Sequence, residues 1–326
     1  MMLSLLEQAL GCGGIIAYHG VRESDFLPSL HVTPKALRDH TDFLSASYDV
    51  IPLHEFVARR KQGRSVRRCV AITFDDAYAG VLTHALPILE QAGLPATVFV
   101  AKAFCRAGAR FWWDRLPWVL QRLAGADKDA FLHGAGLTGL PSPHELREHI
   151  VTHHRGALPR NLDRALRQAE SQVGLVPERA MSSEELRQLS RSDLVDFGCH
   201  SAHHYALPWL TPAKAEREIR SDHEWLQERL PRVRPFLAYP YGLYVRATIA
   251  AARRCGMEAA FSIEGRAATS HFPLFYCSRV GVADASRLRG IRLRLAWATI
   301  PALVAREGGW HPRLHPPASP GPERTA

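Results

Sequence analysis

The stretch RCVAITFDDAY, residues 68–78, joins an unbroken apolar run to two adjacent carboxylates, Asp75 and Asp76. An apolar run without alternation is typical of a strand that is buried on both faces of a parallel sheet. In parallel α/β folds, functional side chains follow the carboxyl ends of such strands. Two neighbouring carboxylates are unfavourable unless a cation or an arginine compensates them, although one could instead cap the following helix. The stretch therefore predicts an α/β fold with a functional site after this strand.

Short apolar runs alternate with helical patterns on both sides of this strand. Further strands are predicted at 14–19, 95–100, 194–200, 258–263 and 274–282, and the segment 235–242 is predicted to be a short strand followed by a turn. The alternation implies parallel strands joined by right-handed crossovers, and both an open doubly wound sheet and a barrel fit it. No glycine-rich phosphate loop follows a predicted strand, which argues against a nucleotide-binding fold. Residues from about 105 to 185 have no strand pattern and are predicted to form a helical insertion.

The 326 residues carry a formal net charge of +9, and a dense basic stretch lies at 287–297. A solvated surface is the ordinary explanation, and an anionic substrate, an anionic membrane or nucleic acid are the alternatives. The six cysteines have no CxxC spacing, which argues against a disulfide framework. The N-terminus lacks a basic region and contains Glu7, so it makes a poor signal peptide.

These features predict the domain organisation and the location of the protein. We expect a folded domain over 1–305, a disordered Pro-rich tail over 306–326, and a cytoplasmic location. Peripheral contact of segment 286–305 with the inner membrane remains open, because that segment is both basic and apolar.

A second polar cluster, GCHSAHHYALPWL at 198–210, also follows a predicted strand. His200 and His204 are four residues apart, and His203 adjoins the latter. Two imidazoles and a carboxylate form a metal site with an open position, which suits Zn²⁺ or a similar borderline cation.

Three further residues lie at or just after predicted strand ends. His19 ends the first strand, Tyr241 belongs to a Pro-Tyr-Gly turn, and Arg279 follows an apolar run. The turn offers a backbone N–H as an oxyanion donor and aromatic faces for a sugar, and a buried guanidinium requires a partner. Closing a barrel would bring all these strand ends together.

Three of these motifs resemble those of the polysaccharide deacetylase family, the metal-dependent carbohydrate esterases that include chitin and peptidoglycan deacetylases. The motifs are TFDDAY (73–78), HSAHH (200–204) and YPYG (239–242). In addition, IIAYHGV (15–21) resembles the permuted branch that deacetylates poly-N-acetylglucosamine. The resemblance implies a distorted (β/α) barrel of about seven strands. It also implies removal of an N-acetyl group from an amino sugar, in a polysaccharide, an oligosaccharide or a lipid- or nucleotide-linked precursor.

The resemblance further implies a role for each candidate residue. Three side chains would hold a divalent metal, with Zn²⁺ expected first and Ni²⁺, Co²⁺ or Fe²⁺ as alternatives: Asp76, His200 and His204. Asp75 would be the general base that deprotonates a water activated by the metal. The backbone N–H of Tyr241 would stabilise the oxyanion together with the metal, and His19 would protonate the departing amine.

The sequence departs from the family pattern at several positions. Ala238 replaces an arginine that often orients the base, and we expect Arg279 to substitute for it because Arg279 also ends a strand. Tyr205 stands where the second motif usually has proline, and His203 competes with His204 as a ligand, with His204 favoured by spacing. The late Asp-Trp and Leu-x-His motifs are not visible.

Other functions fit parts of the sequence. A formamido-sugar deformylase or an O-acetyl esterase would use the same chemistry, and a non-catalytic metal-binding carbohydrate module would use the same ligands. A free base beside the ligands argues against a mere binding module, and no recognised motif supports nucleic-acid binding. The partner expected is therefore a carbohydrate or glycoconjugate. Three tryptophans of the insertion, Trp112, Trp113 and Trp118, either cover the site or pack the insertion's core.

Overall fold

A computed structural model describes residues 13–23, 30–139, 143–263 and 274–283, together with Ile291 and Leu295. The rest of the predicted helix near 286–305, and the predicted tail at 306–326, lie outside the described residues. Within the described residues, no helix has the length and apolar character that a membrane crossing requires.

The described strands form one parallel sheet whose members are short and mostly buried. The strands are β1 Gly14–Tyr18, β2 Asp49–Val50, β3 Cys69–Phe74, β4 Ala96–Val100, β5 Val195–Cys199, β6 Val233–Ala238, β7 Ala259–Ser262, β8 Cys277–Ser278 and β9 Val280–Gly281. Their order is β8-β7-β6-β5-β4-β3-β1-β9, and β2 pairs with the first residues of β3.

The sheet closes into a barrel through the last described strands. β8 pairs with β7 at one edge, and β9 pairs with β1 at the other edge. Only Arg279 separates β8 from β9 along the chain. Because one short stretch of chain joins both edges, the predicted (β/α) barrel is confirmed and the open doubly wound alternative is excluded. If β8 and β9 are the halves of one strand, the order above places seven strands around the barrel.

Strand register aligns the strand ends that carry the candidate residues. Tyr18 pairs with Phe74, and the N–H of Asp75 donates to the carbonyl of Tyr18 at 2.9 Å. Val100 pairs with Cys199, and the N–H of His200 donates to the carbonyl of Val100 at 2.9 Å. All six residues of β3 are buried, as its unbroken apolar sequence predicts.

Helices cover the outside of the barrel and fill the long connection between β4 and β5. They are α1 Pro34–Ser47, α2 Leu53–Lys61, α3 Leu86–Ala92, α4 Trp112–Arg122, α5 Gly125–Ala135, α6 Pro143–His153, α7 Arg160–Val173, α8 Ser183–Leu189, α9 Pro212–Gln227 and α10 Arg246–Arg254. The Thr33 hydroxyl caps α1 by accepting from the N–H of Ala36 at 3.2 Å, as its place before Pro34 predicts.

Two segments differ from their predicted structure. The apolar spacing of residues 77–93 predicts a helix that starts directly after Asp76, but the helix begins only at Val81, as a π-helical turn that continues into α3. Asp76 and Ala77 have φ angles of 68° and 53°, so the chain cannot enter a helix there. The strand expected at 274–282 starts at Cys277, because the preceding three residues form a 3₁₀ turn.

The connection between β4 and β5 has an apolar core of its own. It is built largely from α4 to α7 and includes Trp112, Leu116, Leu162 and Leu166, each at most 3% exposed. Arg115 lies inside this core and donates to both carboxylate oxygens of Glu170, at 2.7 and 2.8 Å. The boundaries of this insertion as a unit remain a prediction.

We expect Glu185→Gln to lower the free energy of unfolding by roughly 2 kcal/mol at pH 7. Glu185 closes a capping box with Ser182 at the start of α8 and accepts from both Nη atoms of Arg179, at 2.6 and 2.7 Å. This pairing with Arg179 lowers the pKa of Glu185 from 4.5 to about 2. Because the pKa is lower in the folded state, the stabilisation is complete above about pH 4.5 and is lost between pH 4.5 and 2.

Urea unfolding of both proteins from pH 7 to pH 3 measures this difference. Glu184→Gln is the matched control, because Glu184 is exposed and forms only a surface pair with Arg187. We expect the control to change stability by less than about 0.5 kcal/mol. A difference for Glu185→Gln that does not shrink below pH 4.5 would contradict the assignment.

Candidate metal centre and active site

The aligned strand ends open into one cavity of about 460 Å³. Its lining combines acidic, histidine and aromatic side chains: His19, Leu30, Asp75, Asp76, Trp113, Arg147, His200, His204, Tyr241 and Ile263. All but one of the residues predicted for the site therefore line this cavity. The exception, Arg279, lies directly behind it.

Asp76, His200 and His204 form a buried cluster in this cavity. Asp76 Oδ1 lies 3.4 Å from His200 Nε2 and 3.3 Å from His204 Nε2. One ligand atom from each residue lies within 4.8 Å of the other two. This spacing brings two imidazole nitrogens and a carboxylate oxygen to one point, which is the donor set that borderline divalent cations favour.

The hydrogen bonds around the cluster show that a cation fits it. His200 Nδ1 lies 2.8 Å from the carbonyl oxygen of Ala238, and since a carbonyl only accepts, Nδ1 carries the proton. In the neutral ring, Nε2 then directs a lone pair toward the Asp76 carboxylate. Asp76 Oδ1 is buried and has no hydrogen-bond partner among the described residues. Facing acceptors repel each other unless a positive charge lies between them, and a divalent metal supplies that charge.

The protonation states also suit ligands. Burial lowers the pKa of His204 to about 3, so this ring is neutral at pH 7 and its nitrogen can coordinate. Burial raises the pKa of Asp76, but its interactions with His204 and His200 outweigh burial and hold that pKa well below its usual value. For His200, burial lowers the pKa, but the nearby Asp76 and Asp75 carboxylates raise it overall. Either a proton or a metal therefore occupies the space beside His200 Nε2.

Backbone strain is concentrated at the cavity. Eight non-glycine residues of the described chain have positive φ, and five belong to the site segments. The five are Asp76 (68°), Ala77 (53°), Ser201 (60°), His204 (54°) and Tyr241 (59°). Each such residue costs about 1–3 kcal/mol and persists only where its surroundings hold it. The tight turns bring adjacent side chains into the cavity directly after the strands.

Asp75 forms a buried ion pair with Arg279. The two Nη atoms donate to the two carboxylate oxygens, each at 2.7 Å, and Nη1 also lies 3.1 Å from the Thr73 hydroxyl. Burial raises the pKa of Asp75, but Arg279 lowers it below its usual value overall, so the carboxylate is ionised. From the sequence we expect Arg279 to replace the arginine that orients the base, and the structure places it against Asp75, the first carboxylate of the pair.

His203 and His204 point to different surroundings. His203 has a half-exposed side chain, and its Nδ1 lies 3.0 Å from a carboxylate oxygen of Glu218, outside the cavity. The ring of His204 lies inside the cavity, 4.5 Å from the Trp113 ring and 4.6 Å from the Tyr241 ring between centroids. Of the two histidines, His204 is the one that meets Asp76.

His19 lines the cavity and is partly buried. Burial lowers the pKa of His19, against the opposing effect of the Asp75 and Asp76 charges. The imidazole is therefore largely neutral at pH 7 in the absence of a ligand.

Asp222 supports the cluster from a helix and was not predicted from the sequence. This fully buried residue of α9 accepts the backbone N–H of His200 at 3.0 Å and that of Lys102 at 2.9 Å. It therefore fixes the turn that carries His200. The signal in the sequence was a carboxylate on the apolar face of the amphipathic helix α9. Its spacing in the sequence gives no indication that it contacts His200.

Trp113 is the tryptophan of the insertion that reaches the cavity. Its indole N–H donates to the Tyr78 hydroxyl at 2.9 Å, and that hydroxyl donates to Asp114 at 2.8 Å. Trp112 instead packs within the core of the insertion, where its N–H donates to the carbonyl of Gly156 at 3.1 Å. One of these adjacent tryptophans therefore lines the cavity, and the other packs the core of the insertion.

A parallel barrel with an acid–histidine cluster and an ion-paired aspartate at the carboxyl ends of its strands has the architecture of barrel enzymes. The sequence model of one enzyme family, polysaccharide deacetylase, matches residues 62–260. This match covers more than half of the chain, and the chain belongs to the polysaccharide deacetylase family. The predicted family is confirmed, and with it the predicted class of carbohydrate-deacetylating hydrolase at the level of the family.

Relatives and solved structures agree with this membership. The chain is 21% identical over 290 residues to the poly-beta-1,6-N-acetyl-D-glucosamine N-deacetylase of Staphylococcus epidermidis, covering 82% of this chain and 78% of the relative. The same enzyme of Staphylococcus aureus matches at 21% identity, over 82% and 77%. The fold is similar to Streptococcus pyogenes deacetylase PplD in complex with acetate (TM-score 0.59, 14% identity, 87% of this chain, 98% of that chain). It is also similar to IcaB from Ammonifex degensii (TM-score 0.56, 18% identity, 88% and 97%).

Proposed function

We propose that the protein is a metal-dependent hydrolase that removes the N-acetyl group from an amino sugar within a saccharide. The observation that carries this proposal is the meeting of the Asp76–His200–His204 cluster and the ion-paired Asp75 in one cavity. Relatives named as poly-N-acetylglucosamine deacetylases support N-acetylglucosamine as the acceptor sugar. Family membership also favours this function over a non-catalytic carbohydrate module or a nucleic-acid-binding protein.

Asp76, His200 and His204 are the residues that would hold the metal, with Zn²⁺ expected first. A divalent cation supplies Lewis acidity and makes water a stronger acid at neutral pH. Asp75 accepts the proton of the attacking water, and its carboxylate keeps a fixed orientation because both oxygens bind Arg279. Its low pKa keeps this base ionised into the acid range.

The remaining groups act on the acetyl amide. The backbone N–H of Tyr241, in its left-handed turn, is the proposed donor to the oxyanion that forms on the amide carbonyl. His19 is the proposed donor of a proton to the departing amide nitrogen. Because the pKa of His19 is lowered, the ring is neutral at rest and must first take up a proton, either the one that Asp75 removes from water or one from solvent.

The direct test is acetate release from β-1,6-linked N-acetylglucosamine oligosaccharides. We expect release by the zinc-loaded protein, loss of release after treatment with a chelator, and recovery after zinc is restored. N-formylated and O-acetylated versions of the same oligosaccharide, assayed in parallel, distinguish the deformylase and esterase alternatives. Release that is unaffected by complete metal removal would contradict the proposed mechanism.

A further inference from the structure

A second cavity, of about 260 Å³, lies beside the first. Its lining includes Arg155, Lys214, His153, His154 and Tyr205. Four of these side chains can carry positive charge, and no carboxylate lines the cavity. Its volume lies just below the usual range for sites of drug-sized ligands, so it suits a small group rather than a whole oligosaccharide.

The two cavities share a thin wall. Tyr205 of the second cavity directly follows His204 of the first. The N–H of Ala206 donates to the carbonyl of Arg155 at 2.8 Å, which joins the two segments of the wall. The next residue, Gly156, packs so closely against Tyr241 of the first cavity that an added methyl group would lie 2.6 Å from the tyrosine hydroxyl. Neighbouring residues of the chain therefore line the two cavities, so one ligand can reach both.

The permanent charges of the second cavity, Arg155 and Lys214, have no carboxylate partner within the described residues. Neither Arg155 nor Lys214 forms an ion pair there, and the contact found for the Lys214 ammonium is with the ring of Tyr205, 5.4 Å from its centroid. By contrast, Arg115 is paired with Glu170 and Arg179 with Glu185. Two uncompensated cations that face one concave site attract anions, and a guanidinium matches the geometry of phosphate oxygens.

The backbone of Arg155 is strained at the wall between the two cavities. Arg155 has a φ of 58°, and a non-glycine residue in this region costs about 1–3 kcal/mol. Such strain persists where the surrounding structure holds it. Here the chain turns at Arg155, in the segment that separates the two cavities. The strained position carries an arginine that binds no described side chain.

We propose that the second cavity binds a phosphate group carried by the saccharide whose N-acetyl group enters the first cavity. The inference rests on the proposed function and narrows it, because it makes the acceptor an anionic glycoconjugate rather than a neutral glycan. Arg147 extends the positive charge to the lining of the first cavity. The net charge of +9 favours the same class of substrate over an uncharged polymer.

The kinetic test compares one N-acetylglucosamine disaccharide with its 1-phosphate and its 6-phosphate. For the zinc-loaded wild-type protein, we expect kcat/KM to be at least about tenfold higher for one phosphorylated form, mainly through a lower KM. In Arg155→Gln/Lys214→Gln this preference should fall to near unity. The matched control is Arg64→Gln/Arg191→Gln, which removes two exposed charges outside both cavities and should keep the preference. Equal rates for all three sugars, or a preference that survives Arg155→Gln/Lys214→Gln, would overturn the inference.

Calorimetric titration with inorganic pyrophosphate provides a readout that does not depend on activity. We expect Arg155→Gln/Lys214→Gln to weaken pyrophosphate binding at least about tenfold relative to wild type, and the control to leave it unchanged. Both proteins keep the Asp76 cluster, so phosphate bound at the metal contributes equally. If pyrophosphate binds through Arg155 and Lys214 but none of the three sugars is deacetylated, the proposed function is wrong and the anion site stands. If it binds but phosphorylated sugars have no advantage, the cavity takes free phosphate and the substrate inference is wrong.

Discussion

Asp75→Asn should lower kcat for deacetylation by about 10³-fold while the protein keeps its metal. The substitution preserves the volume of the side chain and removes the group that accepts the proton of water. It leaves Asp76, His200 and His204 in place, so the content of bound zinc should equal that of the wild type. Steady-state acetate release and metal analysis of the same preparation measure both quantities.

The same substitution also removes the counter-charge of a fully buried arginine, so a loss of stability must be separated from a loss of catalysis. We expect a decrease of about 3 kcal/mol in the free energy of unfolding, because the Arg279 guanidinium loses its carboxylate. Glu170→Gln is the matched control, since Glu170 holds Arg115 through the same two-oxygen geometry outside the cavity. It should be destabilised and keep kcat within about threefold. A rate for Asp75→Asn within tenfold of wild type, at a temperature where both proteins are folded, would remove Asp75 from the role of base.

Replacement of the adjacent histidines should give opposite results. His204→Ala should reduce bound zinc from about one ion per chain to almost none and lower activity on the order of 10³-fold, since the metal contributes several kcal/mol to the reaction. His203→Ala should keep the metal and a rate within about twofold of wild type, because His203 contacts Glu218 and is half-exposed. Both variants carry the same substitution at adjacent residues, so each serves as a control for the other.

Metal content after dialysis against a metal buffer, together with acetate release, measures the difference. Retention of zinc by His204→Ala with loss from His203→Ala would reverse the assignment of the ligand. Loss of zinc from both would indicate that the turn at 200–205 responds as a unit rather than through one imidazole.

The barrel and most of the site residues could be predicted because their signals are local. An apolar run followed by Asp75 and Asp76 specifies a buried strand and the position of its end, and strand ends meet in a parallel barrel. The spacing of His200 and His204 indicates a pair of ligands in the same way. The break at residues 76–80 was not predictable from apolar spacing, because it depends on left-handed φ angles at Asp76 and Ala77.

Other features depend on contacts between distant parts of the chain. The pairing of Arg279 with Asp75 spans 204 residues, and only the family resemblance suggested it. Asp222 reaches His200 through a backbone N–H rather than through a side chain that a motif would record. Trp112 and Trp113 are adjacent in α4, but the Trp113 side chain lines the cavity and the Trp112 side chain packs in the core of the insertion. The sequence alone could not show which tryptophan takes which position. The spacing in HSAHH favours His204 over His203 as the ligand, and in the structure His204 faces Asp76 while His203 contacts Glu218. The φ of 54° at His204 is the part of this turn that the spacing did not predict.

The position of Arg279 between β8 and β9 has a consequence for synthesis of the chain. Domains form as the polypeptide leaves the ribosome from its N-terminus. A nascent chain that has emerged only through β7 already carries Asp75, Asp76, His200 and His204, but it lacks both the segment that joins the two sheet edges and the guanidinium that neutralises Asp75. Completion of the barrel and charge compensation of Asp75 therefore occur in a single late event, and a nascent chain cannot have an assembled site before residue 279 has emerged.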